Sequence, residues 1–383
     1  MIITFVSVFL NHHQLMLCKA LKERCDEFYF ISTSRIVSER LNLGYKELDY
    51  EYDFVIRTYD ENFDEKRLYD ILSKSDAVIF GDCPNSLLEY RMNLNKLSFL
   101  FSERLYKKGV IRRFYPPTRE KVKNRILRFK DKELYVLCAS GFLTWDLALS
   151  GFPTQKCYKW GYFPYVDCPD QYPLRNNLKL KILWAGRMID CKRADKALKV
   201  CRKLKKSGVD FQLDFIGDGD KANKLKKLTQ RYKMENNVRF LGSMPSEKVR
   251  EAMLEADVFL FTSDFREGWG AVLNEAMSCG CAVLASSAVG SVPFLIEDGK
   301  NGLIYKYGSQ SDFYKKLKIL AENKEMRESL GKNAVATIRN EYSADTAAER
   351  LVEFIQSKDK ETCSYERGPM SSAEIIRNNW YRK

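Results

Sequence analysis

Two glutamates eight positions apart, Glu267 and Glu275, are the side chains with the clearest chemical potential in this sequence. Gly268 and Gly270 lie between them, soon after a predicted buried strand at 258–261. Glycines at a strand-to-helix turn expose backbone N–H groups at a helix N-terminus, which suits a diphosphate. Because eight residues span about two helical turns, the spacing predicts both carboxylates on one helical face. One would accept hydrogen bonds from a sugar and the other from a ribose, although a plain glycine turn beside a surface carboxylate fits the pattern equally well.

Two cations follow another predicted strand, at 181–184. Arg187 comes directly after Gly186, and Lys192 follows in the same turn. An arginine offers a planar fork to phosphate oxygens, and a lysine offers a point charge. The pair predicts a phosphate-binding loop, although a loop of this composition is more often an ordinary basic surface loop.

A glycine turn follows a third predicted strand, at 212–216. Gly217 and Gly219 surround Asp218, and Asp220 completes a D-x-D pattern, which some transferases use to hold a metal on the donor diphosphate. We expect no metal here, because the glycines account for the turn and the two cations of the other loop can neutralise phosphates. We also expect no cofactor.

The elements that must position these loops alternate between short apolar runs and helical stretches, which is typical of parallel sheets in α/β layers. Two doubly wound domains of this kind bind ligands at the carboxyl ends of their strands, in a cleft between the domains. Helices are predicted between the strands, for example at 14–24 and 65–74. The predicted strands lie at 2–10, 27–32, 53–57, 77–81, 97–101 and 134–138 in the first half, and at 181–184, 212–216, 238–241, 258–261, 282–285 and 303–305 in the second.

These stretches, in this order, resemble the motifs of the retaining glycosyltransferases of family 4, which have the GT-B architecture of two Rossmann-like domains. The resemblance covers about residues 180 to 340. Within the family, this chain resembles the bacterial surface-polysaccharide glycosyltransferases. The matching residues are Glu267 and Glu275 for the E-x7-E motif, Arg187 and Lys192 for the phosphate-binding pair, and Gly217 and Gly219 for the Gly-x-Gly loop.

The resemblance implies a role for each matched residue. Glu267 would contact the transferred sugar, while Arg187 and Lys192 would hold the diphosphate, so these three would be the catalytic residues. Glu275 would bind the ribose, and Met244 would lie near the nucleobase. Sugar and phosphate would also contact backbone groups of the turns, namely those of Phe265, Arg266, Gly268, Trp269 and Gly270, with Gly217 and Gly219 in the other loop.

The resemblance also implies a domain organisation. We expect an N-terminal Rossmann-like acceptor domain over 1–168, a linker over 169–178, a C-terminal Rossmann-like donor domain over 179–342, and C-terminal helices with a tail over 343–383. The amphipathic pattern at 344–355 predicts a helix, and the resemblance implies that this helix returns to the N-terminal domain. The residues 371–374 predict the cap of a short final helix.

The first half of the chain resembles the family only loosely. After the first predicted strand it has Asn11, His12 and His13 in place of a glycine-rich loop. Asn11 is predicted to cap the next helix and to offer its N-terminus to a phosphate. One histidine, with His13 favoured, is a candidate to contact the acceptor or donor phosphate or to act as a base, although two loop histidines without a role are equally compatible. Adjacent helical histidines point apart, so they predict no metal site. Glu103 is a candidate for binding acceptor hydroxyls or for a structural ion pair.

The net charge of +13 is concentrated in one segment, 104–132, which contains twelve basic and two acidic residues. Aromatic and aliphatic residues alternate with the charges. This composition favours contact with an anionic membrane surface, although a solvated helix face is the more common fate of a charge run. A lipid-linked acceptor would give the segment a purpose.

Composition sets further limits. The chain of 383 residues is long enough for two domains, and its hydrophobic content of 45% suits globular cores. No apolar run approaches the ~20 residues that span a bilayer, and no signal peptide is expected. The 11 cysteines form no C-x-x-C pair and are expected to be reduced thiols. We therefore expect a cytoplasmic protein, peripheral on the inner face of the cytoplasmic membrane.

The predicted function is transfer of a sugar, with retention of configuration, from a nucleotide-diphosphate donor to a glycan or lipid-linked acceptor. The expected setting is surface polysaccharide biosynthesis, as in lipopolysaccharide or capsule. Two alternatives share the architecture: a nucleotide-sugar epimerase and a non-catalytic nucleotide-sugar-binding protein. No nucleic-acid partner is expected, because the chain has no recognisable nucleic-acid-binding motif.

Overall fold

The computed structural model describes residues 1–38, 46–165, 172–173, 175–358, 360 and 365–382. The chain divides into two units. Unit 1 comprises Met1–Tyr165 and Glu341–Arg377, and unit 2 comprises Val166–Asn340 and Asn378–Lys383. The end of the chain therefore belongs to unit 2, whereas the predicted domain limits group it with the C-terminal helices.

The strands of unit 1 are apolar runs buried along most of their length, as expected of parallel strands that are covered on both faces. They are Ile2–Ser7 (β1), Glu27–Ser32 (β2), Val55–Arg57 (β3), Ala77–Phe80 (β4), Ser98–Ser102 (β5), Leu134–Cys138 (β6) and Cys157–Lys159 (β7). Their order in the described sheet is β3-β2-β1-β4-β5-β6-β7, and all pairs are parallel. The helices between them are His12–Lys22 (α1), Glu65–Lys74 (α2), Asn85–Asn93 (α3), Pro116–Arg125 (α4) and Leu143–Ser150 (α5).

Unit 2 contains a second parallel sheet. Its strands are Leu180–Ala185 (β8), Phe211–Ile216 (β9), Val238–Gly242 (β10), Val258–Phe261 (β11), Ala282–Ser286 (β12) and Leu303–Tyr305 (β13), in the order β10-β9-β8-β11-β12-β13. Its helices are Ala194–Lys206 (α6), Ala222–Arg231 (α7), Ser246–Glu255 (α8), Val272–Ser278 (α9), Val292–Leu295 (α10), Gln310–Glu322 (α11) and Lys324–Asn340 (α12). Among the helices that the structure describes, none combines the length and the apolar content needed to cross a bilayer.

The last described helix, Ala344–Gln356 (α13), packs against α1 in unit 1. Arg24, just after α1, forms an ion pair with Asp345 at 2.9 Å. On the same helix, the ring of Phe354 packs against that of Phe99 with a centroid distance of 5.6 Å. The predicted return of the C-terminal helix to the N-terminal domain is therefore confirmed.

The twelve predicted strands are all present, with ends that differ from the prediction by at most three residues. Strand β7 was not predicted, because Cys157–Lys159 is short and includes a charged residue, so it does not form an apolar run. The predicted final helix is wrong. Lys159 N donates to Ser371 O at 2.7 Å and Ala373 N donates to Cys157 O at 2.9 Å, so this segment pairs with β7. Backbone groups that are satisfied by strand pairing are not available to a helix.

The predicted linker, 169–178, lies partly outside the described residues. Within its described part, Arg175 is anchored firmly in unit 2. Its guanidinium donates to the carbonyl oxygens of Leu254 at 3.0 Å, Cys279 at 2.7 Å and Gly280 at 2.8 Å.

Candidate active site

The loops that follow β8 and β9 pack against each other at the carboxyl edge of the unit 2 sheet. Met188 N donates to Asp218 O at 2.7 Å, and Gly186 N donates to Ile216 O at 3.0 Å. Gly217 has a φ angle of +116°, and a Cβ atom placed on it would lie 2.1 Å from Gly186 O. Only glycine adopts this backbone conformation and also leaves room for that carbonyl. The predicted glycine turn therefore has a steric basis.

The D-x-D carboxylates of the β9 loop have separate partners. Asp218 Oδ1 accepts a hydrogen bond from Gly219 N at 2.7 Å, whereas Asp220 forms an ion pair with Lys221 at 3.1 Å. Gly219 is also confined, because a Cβ on it would lie 2.7 Å from Met188 O. Within the described ranges, no three His, Cys, Asp or Glu side chains are grouped as ligands for a metal ion.

The two predicted phosphate-binding cations lie in different environments. The Arg187 side chain is exposed, and it forms no ion pair within the part of the chain that the structure describes. Lys192 forms an ion pair with Glu267, and both side chains are largely withdrawn from solvent, with exposed fractions of 17% and 13%. The structure thus joins the predicted phosphate-binding lysine to the predicted sugar-binding carboxylate.

Side chains from β8 and from the end of β11 fix this ion pair in place. Thr262 donates its hydroxyl to Lys192 O at 2.7 Å, and Trp184 donates its indole N–H to Thr262 Oγ1 at 2.9 Å. Ser263 donates its hydroxyl to Glu267 Oε2 at 3.0 Å. None of these three residues belongs to the site predicted from the sequence. Two adjacent hydroxyl residues directly after a buried strand, at the edge where α/β proteins bind ligands, were the available signal.

The loop between β11 and α9 is also tied to the β8 loop. Asp264 N donates to Cys191 O at 2.8 Å, and the Asp264 carboxylate pairs with the Arg266 guanidinium at 2.6 Å. The ring of Phe265 packs edge-on against Tyr307, with a centroid distance of 5.3 Å. Arg266 N also donates to Asp264 Oδ1, at 2.9 Å, so both the side chain and the backbone N–H of Arg266 are engaged within the loop. The predicted donor contact of Arg266 stays a prediction.

Helix α9 begins at Val272, so Glu275 lies in its first turn and Glu267 lies in the preceding loop. The prediction that their spacing places both carboxylates on one helical face is therefore wrong, because the chain between them is not helical. The helix N-terminus predicted near Gly268 likewise lies further along the chain. Burial raises the pKa of Glu275 to about 7, and the charge of Lys192 opposes that rise. Lys192 thus influences both carboxylates of the motif.

Trp269 supports the loop from within the unit 2 interior. Its indole is fully buried, and Nε1 donates to Asn274 Oδ1 at 2.9 Å. Gly268 is buried, whereas Gly270 is partly buried, as is Met244 beyond β10. The donor contacts of these residues stay predictions, and for Trp269 the contact is available through the backbone alone.

In unit 1, Asn11 caps α1 as predicted, since its Oδ1 accepts from His13 N at 3.0 Å. The rings of His12 and His13 lie together with centroids 3.9 Å apart, so the expectation that they point apart is wrong. They open the helix, where no preceding turn restricts their rotamers. Burial lowers the pKa of His12, and the His13 ring packs against Tyr162 at 5.8 Å.

Glu103 follows β5 and forms an ion pair with Lys107, one turn further along the chain. The sequence left two interpretations of Glu103 open, acceptor binding and a structural ion pair, and this arrangement agrees with the ion pair. The acceptor roles of Glu103, His12 and His13 stay predictions.

Residues 171–337 match the model of the family Glycosyl transferases group 1. The chain is 32% identical over 130 residues to WcaL of Salmonella typhimurium, a protein named for a glycosyltransferase role in colanic acid biosynthesis. That match covers 33% of this chain and 32% of WcaL, so the chain spans about a third of this curated relative.

Two solved structures share the fold along almost their whole length. HepE of Anabaena, in complex with UDP, has a TM-score of 0.69 at 15% identity and covers 92% of this chain and 99% of its own. The lipopolysaccharide outer core galactosyltransferase WaaB, in its apo form, has a TM-score of 0.67 at 16% identity and covers 93% and 100%. At these identities the likeness concerns the fold alone.

The predicted fold class is therefore confirmed: the chain has two Rossmann-like α/β domains and matches GT-B glycosyltransferases in structure. The segment that matches the group 1 model lies within unit 2, and this match, with relatives named as glycosyltransferases, supports the predicted enzyme class for that segment. By their names, WcaL is connected to colanic acid biosynthesis and WaaB to the lipopolysaccharide outer core.

Proposed function

We propose that this protein is a retaining glycosyltransferase that moves a sugar from a nucleoside-diphosphate donor, bound by unit 2, to a glycan or lipid-linked acceptor. The observation that carries the proposal is the withdrawn Lys192–Glu267 ion pair at the carboxyl edge of the sheet, within the group 1 domain. Retention and membership of family 4 rest on the order of the sequence motifs.

The ion pair prepares the site for an anionic donor. A lysine held among protein dipoles needs little reorganisation when negative charge develops on a leaving diphosphate. Arg187 lies in the same loop with its guanidinium exposed, and it supplies a second cation with two parallel donors. In this mechanism the bond from the sugar's anomeric carbon to the diphosphate oxygen breaks, and the two cations stabilise the departing diphosphate. The acceptor hydroxyl bonds to the same face of the anomeric carbon and passes its proton to the departing phosphate.

The two carboxylates have separate tasks in this proposal. Glu267, already oriented by Ser263 and Lys192, accepts hydrogen bonds from hydroxyls of the transferred sugar. Glu275 accepts hydrogen bonds from the ribose, and those bonds favour its ionised form. The turns around Gly217 and from Phe265 to Gly270 approach the phosphates and the sugar through backbone groups.

Uridine nucleotides are the first donors to test, since HepE is described in complex with UDP and with UDP-glucose. We place the reaction in surface polysaccharide biosynthesis because the names of WcaL and WaaB point to such products. In this proposal the protein is cytoplasmic and peripheral on the inner face of the cytoplasmic membrane, where lipid-linked acceptors are extended.

Donor binding and stereochemistry can be tested directly. Calorimetry with a panel of nucleoside diphosphates and their sugars should show binding that Lys192→Ala weakens at least ~10-fold, because the diphosphate loses a partner. NMR of a product formed from an α-linked donor should show an α-linkage. An inverted product would contradict retention, and absence of binding to any nucleoside diphosphate would contradict the donor site. An epimerised donor formed without acceptor would indicate an epimerase.

The acceptor side of the proposal includes His12, His13 and Glu103. Each is replaced by alanine separately, and transfer is measured against donor hydrolysis in the same samples. If a histidine binds the acceptor or serves as a base, its removal should lower transfer by ~10²-fold while donor binding is unchanged. Full transfer activity in both histidine variants would remove them from the site.

A further inference from the structure

Three large apolar side chains lie exposed in one short stretch of unit 1, just after β5. Ile111, Phe114 and Tyr115 have exposed fractions of 75%, 68% and 50%. They belong to or directly follow a 3-10 turn, Val110–Phe114, that leads into α4. Folded proteins usually bury such side chains, and a cluster of them on the surface marks a site of interaction.

Five cations surround these apolar residues, against one acidic residue, within 108–121. Arg112 and Arg113 cover the rings of Tyr115 and Phe114, at 5.4 and 4.5 Å from the ring centroids. In the described part of the chain, none of the five forms an ion pair with a carboxylate, so their charge is available to a partner. The five are Lys108, Arg112, Arg113, Arg119 and Lys121. We call residues 108–121 the basic-aromatic surface.

The N-terminal side of the basic-aromatic surface is anchored in the body of unit 1. Arg104 forms an ion pair with Asp146 at 3.2 Å, with exposed fractions of 1% and 0%. Asp146 also accepts from Tyr106 N at 3.0 Å, and the Tyr106 hydroxyl lies 2.7 Å from that of Ser150. Arg104 and Tyr106 therefore stabilise the fold and are not part of the basic-aromatic surface.

The C-terminal side is anchored as well. Arg125 donates to the carbonyl oxygen of Cys83 at 3.0 Å and also to that of Gly81. Arg128 binds both carboxylate oxygens of Glu89, at 3.0 and 2.7 Å. The arginines of the segment thus divide into buried or paired anchors at its two ends and unpaired cations in its middle. The fold itself therefore holds the middle of the segment out into solvent.

We infer that the basic-aromatic surface docks this protein on an anionic lipid membrane. Cations attract anionic headgroups, while exposed aromatic and aliphatic side chains enter the boundary between headgroups and acyl chains. The choice of a membrane over another polyanion rests on Ile111, Phe114 and Tyr115, since headgroup attraction alone needs no exposed apolar side chain. The inference goes beyond the proposed transfer reaction, because it assigns a separate surface in unit 1 to a separate partner.

Vesicle flotation tests the inference with the full-length protein. The vesicles are phosphatidylcholine alone, or phosphatidylcholine with roughly one third phosphatidylglycerol, at about 0.1 M salt. The wild type should float only with the anionic vesicles. The triple variant R112E/R113E/R119E should lose at least ~50-fold in affinity, since each cation near an anionic surface contributes about fivefold.

The apolar contribution is tested separately with I111S/F114S/Y115S. This variant should lose at least ~10-fold in affinity, and the loss should persist at about 0.5 M salt, because salt screens charges but not apolar insertion. Two controls alter unit 2 in the same way. K224E/K226E/K227E reverses three charges on α7, and Leu178→Ser removes a fully exposed apolar side chain. Both controls should float like the wild type.

Several outcomes would overturn the inference. Equal flotation of the wild type and both basic-aromatic variants would do so, as would a loss in the charge control that matches the loss in R112E/R113E/R119E. Tighter binding to polyuridylate than to anionic vesicles, abolished by the same substitutions, would identify nucleic acid as the partner instead. Thermal unfolding should be unchanged in the variants, and the single changes R113E and F114S replace any triple variant that fails to fold.

Nucleotide binding by the same variants separates this inference from the proposed function. R112E/R113E/R119E should bind donor nucleotide normally, whereas Lys192→Ala should lose the nucleotide and still float. Loss of flotation by both, or of nucleotide binding by both, would show that the two sites are not independent and would contradict the assignment of a separate surface.

Discussion

The two sheets of this protein have the same parallel topology, yet the loops at their carboxyl ends differ. With strands counted from the start of each unit, both sheets begin with the order 3-2-1-4-5-6. In unit 2 the loops after β8, β9 and β11 are bound to one another and enclose the Lys192–Glu267 pair. In unit 1 the segment after β5 leads to an exposed basic-aromatic surface. A shared topology thus fixes where loops emerge, and the loops decide the chemistry.

Charged groups show the same difference between the units. The innermost ion pair of unit 1, Arg104–Asp146, is completely buried and anchors a loop. The Lys192–Glu267 pair of unit 2 is largely withdrawn from solvent, but its side chains keep exposed fractions of 17% and 13%, and Arg187 in the same loop is exposed. A completely buried pair can only serve the fold, whereas a partly accessible pair at the ligand edge can exchange partners with a substrate. Four changes would break or sharpen this comparison.

The largest effect is expected from the ion pair of unit 2. Lys192→Ala and Glu267→Ala should each lower transfer at least ~10²-fold, because each removes a preorganised group from the reacting centre. Steady-state transfer assays measure this loss. Lys221→Ala is the control, since the ion pairs of Lys221 with Asp190 and Asp220, at the same edge of the sheet, involve solvent-exposed carboxylates. Near-normal turnover in both site variants would mean that this pair is structural, like its counterpart in unit 1.

The close approach of the β8 and β9 loops is tested by Gly217→Ala. Its Cβ would lie 2.1 Å from Gly186 O, so the free energy of unfolding should fall by ~2–4 kcal/mol. Gly208→Ala is a matched control, because Gly208 also has a positive φ of +81° but open space around its Cβ. That control should cost only ~1 kcal/mol. If chemical denaturation gave equal losses of unfolding free energy for the two variants, the close packing of the β8 and β9 loops would not be what requires glycine at position 217.

A smaller effect, dependent on pH, is expected from Glu275. Its folded-state pKa, about 7, lies above its ordinary value of 4.5, so the folded protein holds this proton more tightly than the unfolded chain. Stability from this group is therefore complete below about pH 4.5 and is lost as pH rises towards and through 7. Glu275→Gln should raise the free energy of unfolding at pH 8 by up to ~3 kcal/mol, with little change at pH 4.5.

Denaturant unfolding at several pH values checks this dependence. Glu251→Gln, on the exposed face of α8, provides the control and should leave the pH profile unchanged. A stability profile of Glu275→Gln that runs parallel to the wild type from pH 4.5 to 8 would contradict the burial of this carboxyl in unit 2.

The smallest effect concerns the tail, which completes unit 2 after the chain has passed through unit 1. Tyr381 is 8% exposed and donates its hydroxyl to Asp298 Oδ2 at 2.7 Å, while Trp380 Nε1 donates to Ser287 O at 2.9 Å. The same hydroxyl accepts from Lys316 Nζ, so Tyr381→Phe removes two hydrogen bonds and should lower the free energy of unfolding by ~1–2 kcal/mol. Replacement of the exposed Arg382 by alanine should leave the free energy of unfolding unchanged. Equal stability of the two variants would contradict a stabilising contact between the tail and the rest of unit 2.

The sequence by itself determined twelve of the thirteen described strands, the fold class and the charged residues Lys192 and Glu267 at the ligand edge. The strands Glu27–Ser32 and Val258–Phe261 were predicted to the residue, because a buried parallel strand is an uninterrupted local run of apolar side chains. Asn11 was recognised as a cap for a similar reason, since a cap acts on N–H groups within the next few residues.

Only the tertiary structure decided which charges meet. Lys192 and Glu267 are far apart in the sequence, and they come together because parallel strands β8 and β11 end at the same edge. The arginines of 104–132 look alike in the sequence, yet Arg104 is a buried anchor and Arg112 is exposed to solvent. Local patterns specify the conformation of a segment, whereas the partner of a charged or backbone group depends on what packing brings within a few ångströms of it.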